Sequence, residues 1–484
     1  MRRPVCWLAM AVFGAAGMAP CAPAEAAPAH PAALTAPVCV DDFGTDFNAD
    51  GRLEVAVGVP SEDRGTVAGA GAVEVRHPCS SRAAQALVLP KAHAHDGFGT
   101  ALAVGTLNND TYLDLAVGVP GLDVGGHRDA GGVALFYGSA TGLHYAKTLT
   151  QASAHVGGSV QAHARFGQTL SISGYEPDGR AILRVGEPGR TVMGHARAGG
   201  IVDYALQDGR YQAKGSGQVT LGTKGVPGSP QTGDAMGASL YSDFKVGLPN
   251  RAVDGAEGAG AVLFTPYQHR GRYRLETQAS PGVPGTPENG DHFGASLTQF
   301  WIGVPGESVG SLTEAGIVEG SSSGTPVSLN QHQIDPSQVV EAGDHFGAAM
   351  TETGFLVDDT EWSPRQLLVG APGQDVAGHS NAGTVSVIGV SYDPDGVPLT
   401  LGDPYGELQP DDHVTGAHFG AVLARNGLRT VQVGAPGARG GRLSLFIAPE
   451  QLDALPTLSG TWAQQAGKPE PGDSYGGAVT LSPV

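Results

Sequence analysis

One four-residue phrase, an aliphatic residue followed by Gly, any residue and Pro, returns seven times along this chain, and repetition at a fixed period dictates a modular fold. It stands at Val57–Pro60, Val117–Pro120, Val185–Pro188, Val246–Pro249, Ile302–Pro305, Val369–Pro372 and Val433–Pro436, with successive prolines 56 to 68 residues apart. An aromatic–glycine pair precedes five of the later phrases, at Phe98-Gly99, Phe166-Gly167, Phe293-Gly294, Phe346-Gly347 and Phe419-Gly420, and Met236-Gly237 takes that place before the fourth. The first phrase has no such partner upstream. The missing pair lies near the other end, as Tyr475-Gly476. Small residues running into an apolar strand follow each phrase, as in Ala70-Gly71-Ala72-Val73 and Ala382-Gly383-Thr384-Val385.

Each unit therefore holds several short strands punctuated by Gly and Pro. The chain has 484 residues, with 75 Gly, 34 Pro and only 15% charged residues, a composition that suits many tight turns and excludes long amphipathic helices. A period near 60 residues with this content reads as one propeller blade. Glycine lets neighbouring backbones approach closely, the aromatic packs between adjacent blades, and the proline ends a strand where no ladder donor is wanted.

The three phrases together resemble the FG-GAP repeat of integrin α subunits and of many bacterial secreted proteins. The resemblance covers residues 38–484 and implies an all-β, seven-bladed β-propeller. The displaced Tyr475-Gly476 then predicts that the C-terminal segment completes the first blade and closes the ring, removing exposed sheet edges.

The first 27 residues read as a signal peptide: Arg2 and Arg3, an apolar run from Val5 to Met18, and a small-residue stretch ending at Ala26-Ala27. Pro20 before Cys21 departs from a lipoprotein signal, and Pro4-Val5-Cys6 departs from the twin-arginine pattern. An Ala/Pro-rich linker, 28–37, follows, and the reading is a secreted, extracellular protein. No later apolar run is long enough to span a membrane. Two cysteines remain, Cys39 and Cys79. An oxidising compartment and an even count predict a disulfide between them; the alternative is two buried thiols.

The sharpest chemical motif is Asp46-Phe47-Asn48-Ala49-Asp50-Gly51-Arg52-Leu53-Glu54, which sets oxygen side chains at loop positions 1, 3, 5 and 9. Alternate spacing in a tight loop turns those oxygens toward one centre. Ca2+ is a hard cation that takes six to eight oxygens, and Asp46, Asn48, Asp50, the Arg52 carbonyl and Glu54 make a fitting cage. The alternative is a solvated Asx-turn before a strand. The pattern resembles the family's calcium loop, with Glu54 where Asp is usual. A second loop keeps Asn108, Asp110 and Asp114 with the Tyr112 carbonyl, but has Thr106 at position 1, so it predicts weaker binding. Ile182 at the last position makes the third loop, 176–180, inactive, and blades four to seven show no equivalent.

Asp96, Asp234, Asp291, Asp344 and Asp473 stand two residues before the aromatic, in phase with the repeat, and predict backbone capping rather than a shared ligand site. His292, His345 and His418 precede their phenylalanines in the same way. The one GxSxG match, Gly320–Gly324, lies in a Ser/Gly tract with no helix-forming segment behind it, so it is not a nucleophile elbow. A fused catalytic domain, as some family members carry, is not expected, which leaves a loop-borne extracellular hydrolase as the alternative function. The favoured reading is a monomeric extracellular binding, adhesion or scaffold module with a protein or polysaccharide ligand. The formal charge of −19 opposes nucleic acid, and no basic patch is legible along the chain.

Overall fold

In the computed structural model the chain divides after Ala36, and the described residues all belong to the second unit. They are residues 44–479 apart from 109, 174–180, 208, 267–271, 321–325, 335, 337, 355–363, 393–397, 411–412, 427–429, 439, 448–455 and 463–477. Seven four-stranded antiparallel sheets form the seven blades of a β-propeller. Among the described residues the helix content is one short turn, Gln331–Ile334, and no helix is long and apolar enough to cross a membrane.

The second blade shows the plan. Its strands are Leu102–Gly105, Asp114–Val119, Gly132–Tyr137 and His144–Leu149, each paired to the next. The second strand carries the VGxP phrase and is buried at every position, which is why it reads as a continuous apolar run. The fourth strand is mostly exposed and correspondingly polar.

Neighbouring blades are joined through backbone. The amide of the repeat aromatic donates to an alanine carbonyl of the preceding blade: Phe98 to Ala70 at 3.2 Å, Phe293 to Ala259 at 2.9 Å and Phe419 to Ala382 at 2.9 Å. The glycine that follows turns back within its own blade, as Gly420 N donates to Gly434 O at 3.1 Å. Such proximity leaves no space for a side chain. A Cβ on Gly370 would overlap the carbonyl oxygen of Gly420, and one on Gly383 would overlap the backbone of Phe419. The aromatic ring then fills the seam. Phe98 is fully buried among Val73, Val75 and Leu87 of one blade and Leu102, Val104 and Phe136 of the next, meeting Phe136 edge-on at 5.9 Å. Met236 fills the equivalent seam, also fully buried, so a flexible thioether serves where the ring is absent.

The residue before the aromatic adopts a left-handed conformation, with φ of 58° at His292, 52° at His345 and 53° at His418. Two of these histidines also hydrogen-bond through Nδ1 to a proline carbonyl of the preceding blade's VGxP phrase, His292 to Pro249 at 3.0 Å and His418 to Pro372 at 3.1 Å. The aspartates cap the same turns. Asp96, Asp234, Asp291 and Asp344 each accept from the amide three residues earlier at 2.5–2.7 Å. Asp473 and Tyr475-Gly476 lie outside the described residues.

The ring closes as the displaced repeat predicts. Ala478–Val479 forms the first strand of blade 1, with Val57 opposite Val479 and Gly58 opposite Ala478. Asn426 of blade 7 adds a clamp, accepting from Thr45 N at 2.7 Å and donating to Glu54 O at 2.9 Å.

Gly370→Ala should cost about 3 kcal/mol by forcing two blades apart. Gly378→Ala, where a Cβ meets nothing within 4 Å and only φ is strained, should cost about 1 kcal/mol. Denaturant midpoints measure both, and equal shifts would refute the close-approach account. Deleting the chain from Pro471 onward should lower the melting temperature of the whole ring in one transition. Full stability after that deletion would refute closure.

Candidate metal centre

The first oxygen-rich loop leads into the strand Val55–Val59. Its shape comes from stacked Asx-turns. Asp46 Oδ1 accepts from the amides of Asn48 and Asp50, each at 3.2 Å, and Oδ2 accepts from Gly51 N at 2.8 Å. Asn48 Oδ1 accepts from Asp50 N at 2.9 Å, and Asp50 Oδ1 from Arg52 N at 3.0 Å. Gly51 sits at φ 76°, the conformation that its place in the loop demands. One carboxylate oxygen from each of Asp46, Asp50 and Glu54 lies within 4.8 Å of the others. Three acids that close repel one another unless a cation is shared, and this donor set fits Ca2+.

Glu54 differs from the two aspartates. It is buried, its Oε2 accepts from Phe47 N at 2.6 Å, and its Oε1 meets both the Asn48 side-chain amide and His77 Nδ1, the latter at 3.0 Å. Burial, with Asp46 and Asp50 adding to it, pushes its carboxyl up to about 7. The longer Glu thus reaches into the hairpin at His77, and the outer wall of the loop is the more exposed Asp46–Asp50 pair.

The second loop repeats this architecture. Asp114 Oδ2 accepts from Leu107 N at 2.6 Å and Asn108 N at 3.1 Å, and Oδ1 accepts from Gly138 N at 3.0 Å. Asp110 N donates to Asn108 Oδ1 at 3.1 Å, and Tyr112 N to Asp110 Oδ1 at 2.9 Å. The last acid of either loop thus doubles as the acceptor that ties it to a later hairpin, a role that loop spacing alone does not reveal. Thr106, at the first position of this loop, is half-buried and brings no charge. In blade 3, residues 176–180 lie outside the described residues, and Ile182 is buried within the strand Ala181–Gly186.

One further acid occupies the same register. Asp243 stands four residues before Gly247, as Glu54 does before Gly58 and Asp114 before Gly118. It is buried, and its Oδ2 has no hydrogen-bond partner. Its distance from the VGxP glycine is the sequence signal that marks it, since the rest of the loop pattern is missing from this blade. Around Asp243 protein groups take the place of a loop. Within blade 3, Arg184 makes a bidentate pair with Asp203 on the neighbouring strand at 2.7 and 2.9 Å, and the next blades are joined to one another. Lys245 Nζ donates to Thr298 O at 3.0 Å, and Thr298 Oγ1 to Glu352 Oε1 at 2.6 Å. Burial pushes the Lys245 ammonium down to about 7.

A second acidic group lies at the opposite ends of the blades. Gln278 Nε2 donates to Glu307 at 2.7 Å and to Glu319 at 3.1 Å, with Asp291 adding repulsion. Burial pushes Glu307 up to about 7 and Glu319 up to about 8. Both folded values exceed the ordinary 4.5, so the folded state keeps protons that the unfolded chain releases. Their contribution to stability is complete below about pH 4.5 and is lost as pH rises through 7 to 8. Glu319→Gln should therefore flatten the fall in stability between pH 5 and 8 by on the order of 1 kcal/mol per pH unit. Unfolding titrations across that range check it, and an unaltered slope would refute it.

Cys79 is disulfide-bonded. Its expected partner Cys39 lies outside the described residues, as do Ser321–Gly324 of the GxSxG match.

Residues 42–73 match the FG-GAP repeat, the stretch that contains the first oxygen-rich loop and the first VGxP strand. That repeat is typically a non-catalytic binding module. The chain is similar to phosphatidylinositol-glycan-specific phospholipase D of Homo sapiens, 34% identical over 114 residues, and to that of Rattus norvegicus, 31% identical over 152. These alignments cover 23% and 31% of this chain but only 13% and 17% of the relatives. Among solved structures it is similar to the six-bladed β-propeller lectin of Aleuria aurantia, with TM-score 0.35 and 9% identity over 82% of this chain and 89% of the lectin. It is also similar to the NanB sialidase of Streptococcus pneumoniae, with TM-score 0.32 and 10% identity over 76% and 61%. The blade count of seven rests on this chain's own strand pairing.

Proposed function

We propose that this chain is a secreted, calcium-binding β-propeller that serves as an extracellular binding, adhesion or scaffold module. The observation that carries the calcium reading is the approach of Asp46, Asp50 and Glu54 oxygens within 4.8 Å in a loop already wound by Asx-turns. Asp46, Asn48, Asp50, Glu54 and the Arg52 carbonyl would hold the ion. Calcium would supply the positive charge that lets those carboxylates stay close, and so would fix the entry to the first VGxP strand. The second loop, with Thr106, Asn108, Asp110, Asp114 and the Tyr112 carbonyl, has one carboxylate fewer and would bind less tightly. The bonded Cys79, together with the leader-like residues 1–27, supports an oxidising destination, with Cys39 as the partner.

Chelation should lower the melting temperature of the wild-type protein, since saturating a site at a hundred times its Kd contributes about 2.7 kcal/mol. Asp50→Ala should abolish that response without unfolding the ring. A wild-type melt that ignores chelator would sink the calcium reading.

A further inference from the structure

The meander of each blade sends its second-to-third turn and its connector to the next blade to one face, and sends the calcium loops to the other. Backbone hydrogen bonds join the two kinds of turn across the seams: His163 N to Arg128 O at 2.7 Å, Arg165 N to Asp129 O at 3.1 Å and Gly233 N to Ala196 O at 2.9 Å. On this face the charges segregate. Across the turns of blades 1–3, from residue 60 to 238, six basic side chains and only three acidic ones are not buried. In the same turns and connectors of blades 4–6, between residues 249 and 421, the described residues include seven acidic side chains that are not buried and no such basic one.

The three acids of the first sector are engaged internally. Asp63 caps Gly69 N at 2.7 Å, Asp123 caps Asp129 N at 3.0 Å, and Asp129 meets His163 Nδ1 at 2.8 Å. Lys91, Arg128, Arg165, Arg197 and Lys224 are all exposed. The absence of a basic patch expected from the sequence is thus corrected, because the ring gathers charges that are scattered along the chain.

We propose that this sector is a docking surface for an acidic polysaccharide. A cationic surface on a protein of net charge −19 selects an anionic partner by local field. Met193 is the sole exposed large hydrophobic side chain described in the sector, too little for the apolar core that a folded protein partner requires. The exposed large hydrophobics described include no aromatic here on which nucleic-acid bases could stack. A hydrated chain bearing carboxylates or sulfates needs neither. This names the ligand class of the binding-module reading and rests on it.

The test is retention of the mature protein on immobilised polygalacturonate and dextran sulfate, with neutral dextran as control. Both acidic polymers should retain it, neutral dextran should not, and high salt should release it. Arg128→Glu with Lys224→Glu should weaken binding by at least about tenfold, with the melting temperature unchanged, whereas Glu257→Lys should not weaken it. Failure to bind either polymer, equal binding by the double variant, equal retention on duplex DNA, or a dimer that the double variant dissolves would each overturn the proposal. So would binding that Asp50→Ala removes and the charge reversals spare, since that places the polymer at the calcium face. Calcium-dependent melting is read separately, so failure here leaves that reading standing.

Discussion

The hydrogen bond from each described repeat aromatic's amide to an alanine carbonyl of the preceding blade is the contact on which the rest depends. It draws two sheets so close that glycine is obligatory on both sides of the seam, at Gly370 against Gly420 and at Gly383 against Phe419. The buried ring or thioether beside it then converts proximity into apolar burial worth roughly 2–3 kcal/mol per seam. Everything peripheral, including the oxygen-rich loops and the charged turns, is carried on strand ends whose positions these seams set.

That dependence explains why the repeats looked so uniform while the loops did not. A seam tolerates Met236 for phenylalanine because only shape and apolarity are asked of it. A loop end answers to chemistry that each blade meets differently. Blades 1 and 2 use oxygen-rich turns, whereas blades 4 to 6 are linked there through Lys245, Thr298, Glu352 and their neighbours. Asp243 sits between the two solutions, keeping the last acid of an oxygen-rich loop without the loop.

The architecture and the closure were legible because glycine, proline and the aromatic recur in phase, and because a pair missing at one end reappeared at the other. The oxygen positions of the first loop were legible for the same reason, since alternate spacing is a local property. Glu54's bond to His77 was not, because it joins a loop to a hairpin 23 residues away. Nor was the work of His292 and His418, where a left-handed turn and a bond to a distant proline carbonyl depend on the neighbouring blade. The basic sector escaped for a topological reason: Lys91 and Lys224 belong to different connectors and come to the same face only through the repeated meander of the blades.

The strand Ala478–Val479 has a consequence for how the molecule comes into being. Its partner Val57 lies about four hundred residues earlier in the chain, so the contact that completes blade 1 carries nearly the largest loop-closure cost the sequence could impose. The other blades can each assemble from residues close in sequence, and their seams can form in order along the chain. Completion of the circle is therefore the slow, cooperative event. Until it happens, the strand Val55–Val59 lacks an inner neighbour and presents an open edge to any other extended segment.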